Sequence, residues 1–105
     1  MRRQADFARV FRSGQHHSGR LMAVRSAPND LALSRYACSV SKRVGNAVVR
    51  NRVRRRVREA MRVLPLIEGY DIVVVARPEA ARSDFPHLRE ELTRLMRRGK
   101  LLEQG

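Results

Sequence analysis

Ser39 to Glu59 reads S-V-S-K-R-V-G-N-A-V-V-R-N-R-V-R-R-R-V-R-E. Each residue of an α-helix advances by about 100°. On that wheel Val49, Val53, Val57, Ala60, Met61 and Leu64 share one face, which predicts an amphipathic helix over 46–63 docked on a sheet. Asn51, Arg52, Arg54, Arg55, Arg56, Arg58 and Arg62 spread over the remainder, with Arg50 at the boundary and Glu59 the only acid. Arg50, Arg54, Arg58 and Arg62 follow one another at i, i+4, where like charges cost a few tenths of a kcal/mol per pair. A solvated face normally mixes both signs, so a helix that accepts this repulsion fits a phosphate partner better than a solubility role. Just upstream, Lys42-Arg43-Val44-Gly45-Asn46 predicts a basic strand-to-helix turn. Gly45 permits a positive φ or a close backbone approach, Asn46 can cap the helix, and the free amides of the first turn add an anion site.

Working outward, Phe7, Val10 and Phe11 at i, i+3, i+4 predict a first helix over 3–12, ended by Ser13-Gly14. His16-His17-Ser18-Gly19 reads as a loop. Residues 21–24 form a short strand stopped by the turn signal Ala27-Pro28-Asn29-Asp30, and residues 36–41 a second strand, paired with it as a hairpin. After the arginine helix Gly69 breaks the chain. Residues 71–76 are then nearly continuously apolar, as in a strand covered on both faces, and Arg77-Pro78 closes it. A last helix starts near Ser83-Asp84, carries Phe85, Leu88, Leu92, Leu95 and Met96 as its core stripe, and has Gly99 at its end. No internal repeat or low-complexity tract interrupts this order. The expectation is an α+β fold: one domain over 1–105, a two-layer α/β sandwich of three helices on a small, mostly antiparallel sheet of about four strands, ordered α-β-β-(β)-α-β-α. The arginine helix covers one face of the sheet as a strand-helix-strand crossover.

Composition excludes several classes. The 105 residues hold 23 basic and 10 acidic side chains, a formal charge of +13. All the basic residues but Lys42 and Lys100 are arginine, whose planar fork pairs phosphate bidentately and stacks on bases. A GC-rich genome would also exchange Lys for Arg, but it does not explain the surplus of positive charge, which opposes compaction and calls for a counter-charge. With 43% apolar residues the chain is too hydrophobic for a disordered basic tail. No stretch approaches the roughly 18–20 apolar residues of a membrane span; Trp is absent, and the most charged helix has a Val/Ala/Met face suited to a protein core rather than the Trp or Phe with Leu of a membrane-surface anchor. Met1 to Asp6 meets arginines and an acid before any apolar run, unlike a secretory signal. The single Cys38 cannot form an internal disulfide, which suits a reducing cytoplasm.

From Val40 to Glu59 the chain resembles the protein subunit of bacterial ribonuclease P, whose pattern is V-S-K-K/R-x-G-N-A-V-x-R-N-R-x-K/R-R-x-x-R-E, with Arg50-Asn51-Arg52 as its hallmark. The resemblance extends to Asp6-Phe7, Val10-Phe11 and Gly14, to the stretch from Gly69 to Arg77, and to the Leu88/Leu92/Leu95 helix. It implies a small accessory subunit of a ribonucleoprotein endoribonuclease, in which a magnesium-binding catalytic RNA removes the 5′ leader of precursor tRNA. It also implies a left-handed crossover, an exception to the usual hand. By position, Lys42, Arg43, Asn46, Arg50, Asn51, Arg52, Arg54, Arg55 and Arg58 become RNA-facing candidates. Phe7 and Phe11 become candidates for leader contact in a cleft between the first helix and the sheet, with a core role as the other reading. Some relatives have an aromatic where this chain has Arg25, which could meet leader phosphate. Members often have glycine where Ala37 stands, and Tyr36 beside it is a replacement aromatic.

The side-chain inventory argues against catalysis by the protein itself. Neither a D-x-D nor an H-x-E metal pattern occurs, and Glu90 and Glu91, adjacent on a helix, point apart. His16-His17 and His87 read as surface, and Cys38 as a small core residue. The expectation is therefore no catalytic or metal-ligating residue and no cofactor in the chain, magnesium held mainly by the RNA, ribonuclease P RNA and precursor tRNA as partners, no membrane or DNA, and a cytoplasmic location. One alternative is a ribosomal or other structured-RNA binder of similar fold without a nuclease role. The other is a DNA binder with the arginine helix in the major groove, disfavoured because that helix is flanked by a sheet and lacks a helix-turn-helix partner.

Overall fold

The computed structural model describes residues 4–104. The elements run α1 (Gln4–Ser13), β1 (Gln15–Ser18), β2 (Met22–Pro28), β3 (Arg35–Ser39), α2 (Ala47–Arg62), β4 (Tyr70–Ala76) and α3 (Phe85–Arg98), with 3-10 turns at Lys42–Val44 and Pro78–Arg82. One four-stranded sheet has the order β1-β2-β4-β3. β1–β2 and β2–β4 pair antiparallel, while β3–β4 pair parallel across the α2 crossover.

Strand alternation divides the core. Met22 and Val24 of β2 join Ile72, Val74 and Ala76 of β4 under Val53, Val57 and Met61 of α2 and Leu88, Leu92 and Leu95 of α3. The opposite side of the same strands presents Ala27 and Val73 to Val10 of α1, with Phe7 and Val75 packed at the margin. The sandwich is thus sheet against α2 and α3, with α1 alone on the other face. A buried carboxylate locks α3 to the start of β2: Glu91 accepts from the amides of Arg20, Leu21 and Met22 at 3.0, 2.7 and 3.1 Å. A Cβ on Gly19 would stand 2.5 Å from the Glu91 Cδ, so only glycine fits beneath it.

The helices fall close to their expected bounds because their caps are explicit. Asn46 accepts from the Val49 amide and Asp84 from the His87 amide. The expected start of α1 at residue 3 lies outside the described residues. Three expectations about the strands need correction. His16 to Ser18 is not a loop but part of the edge strand β1; an edge pairs on one side only and needs no apolar alternation. The strand expected to stop after Val24 continues to Pro28, where Pro28 lies opposite Tyr70. Most important, β2 and β3 do not form a hairpin. β4, apolar on both faces, takes the central place between them, and its neighbours are pushed outward. At the end of α3, Gly99 has φ −80°, and the left-handed residue is Lys100 at φ 57°.

Candidate nucleic-acid interface

The basic surface begins at the turn before α2. Lys42 and Arg43 are exposed on the 3-10 turn, while Val44 is buried and holds the turn to the core. Gly45 adopts φ 157°, and a Cβ there would meet the Val49 Cγ1 at 2.8 Å, so the chain enters α2 by a route closed to other residues. Asn46, exposed, spends its side-chain oxygen on the Val49 amide at 3.0 Å.

Along α2 the arginines divide into groups. Arg55 and Arg58 are exposed, and Asn51 is exposed with its Oδ1 accepting from Arg54 at 3.1 Å. Arg54 and Arg58 flank β3 and line a recess of about 290 Å³ with Tyr36, Ala37 and Cys38. Burial pushes the Cys38 thiol up to about 11, against the lowering fields of Arg54 and Arg58, so it stays a protonated packing residue. On the other flank Arg52 donates to the Ala81 carbonyl at 3.1 Å and Arg56 to the Ser83 carbonyl at 2.9 Å. These two brace α2 against the turn after β4, so Arg52 is committed in part to the fold. The Nε atoms of Arg50 and Arg52 are buried without a partner. Among the described residues Arg62 is the only α2 arginine paired with an acid, Glu59 at 3.1 Å. Apart from Arg62, the arginines of α2 meet no carboxylate among the described residues.

A second surface lies on the α1 side of the sheet. Register places His16 of β1, Arg25 of β2, Val73 of β4 and Ala37 of β3 in one row across the strands, followed by Ser18, Ala23, Val75 and Ser39. Except for Arg25 and His16 this floor is small or apolar. Phe7 is half-buried against Val10, Ala27 and Val73, whereas Phe11 is 43% exposed. The Arg25 guanidinium sits 4.7 Å from the Phe11 ring centroid, so aromatic and cation form one stacked edge. At the far end Asp71, fully buried, binds Arg35 at 2.8 and 2.7 Å, Asn29 at 3.0 Å and Arg9 of α1. This cluster ties α1 across one end of the sheet.

Tyr36 does not belong to that cleft. Alternation puts it on the α2 side of β3 with Cys38, beside Arg54 and Arg58. His16, absent from the expected site, stands on the Arg25 row. Reading its segment as a loop concealed it, since only a strand assigns it a face. Among the described residues no three His, Cys, Asp or Glu side chains gather as a metal site, and no helix is long and apolar enough to cross a membrane.

An uncompensated arginine helix, a basic turn at its start and a sheet floor edged by a stacked Phe-Arg pair define a small polynucleotide-binding α/β protein. The comparisons with known proteins agree. The family model described as Ribonuclease P matches residues 1–100. The ribonuclease P protein component of Caldanaerobacter subterraneus subsp. tengcongensis is 38% identical over 99% of this chain and 91% of its own. The solved ribonuclease P protein of Staphylococcus aureus superposes with TM-score 0.88 at 29% identity, over 98% of this chain and 96% of that one. For the Thermotoga maritima protein the TM-score is 0.82 at 32% identity, over 100% and 97%. The chain belongs to the ribonuclease P protein family. Its role is that of the protein subunit of ribonuclease P in tRNA processing, the accessory partner of the RNA-based endoribonuclease and of its RNA. The reading as a ribosomal or other RNA binder without a nuclease role falls away with that match.

Proposed function

We propose that the subunit works with two surfaces: the α2 face with its preceding turn docks on the catalytic RNA, and the α1 side of the sheet holds the unpaired 5′ leader of precursor tRNA. The observation that carries this reading is the charge placement. Buried acids are engaged inside the fold, Asp71 by Arg9 and Arg35 and Glu91 by backbone amides, while Lys42, Arg43, Arg55 and Arg58 stand exposed on one side. Phosphate contacts by such residues release counterions and position an RNA without reading its sequence. In the cleft, Phe11 under Arg25 offers a stacking edge to unpaired bases, and the small residues Ala37 and Ser39 let a strand lie close to the backbone. Arg25 adds a phosphate contact where an aromatic alone would add none.

On this reading the protein supplies binding and charge screening. Magnesium is held by the RNA, which carries out the cleavage, and the surplus cations let the assembly tolerate lower magnesium. The place of action is the cytoplasm, where precursor tRNA is matured. Reconstitution of the chain with its cognate catalytic RNA at low magnesium tests the proposal: precursor cleavage should rise with added protein, and a leader-bearing competitor should suppress that cleavage more than the same competitor without its leader. No gain over RNA alone would refute it.

A further inference from the structure

Neither surface uses the flank where the end of α2 meets α3. There a groove of about 680 Å³ opens, lined by Val63, Leu64 and Pro86 together with Arg89, Arg97 and Arg98. Val63 is 71% exposed. Arg94 also lines the groove and reaches Glu91 only at 3.4 Å, and Glu90 is the one acid on the lining. Arg89 lies over the Phe85 ring at 5.7 Å, and among the described residues Arg97 and Arg98 have no ion-pair partner.

A helix C-terminus favours cations, which would account for Arg97 and Arg98 alone. It does not account for Arg89, far from that end of α3, nor for the apolar side chains that line the groove among the arginines. A ligand that satisfies both features carries regularly spaced anions and flat apolar faces. A duplex presents its phosphates but hides its base faces, whereas an unpaired strand offers both. The geometry points to a second binding site for single-stranded RNA in the α2–α3 groove. It lies on the opposite side of the sheet from α1, so its occupant is a different segment from a strand held in the α1 cleft. The inference goes beyond the leader assignment and stands without it.

The test is binding of a fluorescein-labelled dodecauridylate to the full chain. The background carries Arg55→Ala, Arg58→Ala and Phe11→Leu, which weakens the other two surfaces. In it, Arg97→Gln with Arg98→Gln should weaken binding at least fivefold. The same pair should lower the slope of log affinity against log salt by about 1.4, roughly 0.7 for each single-strand phosphate contact. A charge-matched control, Arg20→Gln with Arg77→Gln, should change affinity less than twofold. Val63→Asp, at an exposed position, should also weaken binding while circular dichroism shows the fold intact. Equal losses in both arginine pairs would reduce the effect to general charge and overturn the proposal, as would no oligonucleotide binding in the background chain. Loss of oligoglutamate binding without loss of RNA binding would assign the groove to an acidic protein partner and overturn it too. Precursor cleavage by the assembled enzyme at low magnesium reads the other surfaces separately.

Discussion

Asp71 joins fold and function at the scale of one side chain. Burial works against its charged form, but hydrogen bonds from Arg35 and Asn29, with the charges of Arg35 and Arg9, overcome this and hold its carboxyl below the usual carboxylate range. A carboxylate with a lowered pKa binds fewer protons folded than unfolded. Its contribution is therefore complete above about pH 4–5 and is lost as pH falls through the folded value. Asp71→Asn keeps the shape and the Asn29 contact but leaves two guanidinium groups facing an amide. Because Arg9 and Arg35 are each 30% exposed they can rehydrate, so the expected loss is about 1–3 kcal/mol at pH 7, below that of a fully buried pair. Urea unfolding should show the gap between variant and parent shrinking toward pH 3; a constant gap would mean that the charge does not matter. Phe11 is the second informative residue. Its spacing groups it with Phe7 and Val10, yet Val10 is fully buried, Phe7 half-buried and Phe11 exposed with Arg25 over its ring. Periodicity finds a face but not its rim, because the rim depends on how far the sheet extends beneath. Phe11→Leu should weaken precursor-tRNA binding by about 1 kcal/mol, the low end of base-stacking contributions, and leave mature-tRNA binding unchanged. Equal losses for both RNAs would make the ring structural only.

At the scale of elements, α2 was legible almost to the residue, since Asn46 caps it and the valine stripe has the helical period. Which arginines face out was not legible, because that depends on the Pro78–Arg82 turn and Ser83 just after it, where the carbonyls of Ala81 and Ser83 claim Arg52 and Arg56. The division is measurable. Arg55→Ala and Arg58→Ala should each lower the salt slope of catalytic-RNA binding by about 0.7–0.9 with no change in melting temperature. Arg56→Ala should cost about 1 kcal/mol of stability and move the slope little; the reverse pattern would exchange their roles. The strands were harder to read. Sequence neighbours suggest a hairpin, but a doubly apolar strand takes the centre of the sheet, and only its pairing shows that β2 and β3 are separated. One signal was available and unused: Cys38 read as core already places Tyr36, two residues earlier, on the same side of β3 and away from α1.

For the whole molecule, net charge sets two opposing salt dependences. The free chain carries +13, so its folded state suffers self-repulsion that added ions screen. Its attractive pairs respond less: Asp71 is fully buried among its partners, and the Glu91 carboxylate is held mainly by amides, with Arg94 reaching it only at 3.4 Å. Raising salt tenfold from a low value should therefore raise the melting temperature of the free protein by a few degrees, since about 1 kcal/mol shifts a domain of this size by roughly 4–8 °C. The same change should weaken RNA binding by orders of magnitude, because each phosphate contact loses its counterion advantage. The RNA-bound chain should then melt highest at low salt, where mass action from tight binding adds to stability, and its melting curve should merge with that of the free chain as salt rises. A free chain that lost stability on adding salt would show that attraction between surface charges dominates. The arginines of α2 would then be part of the fold's own stabilisation instead of a surface kept uncompensated for RNA.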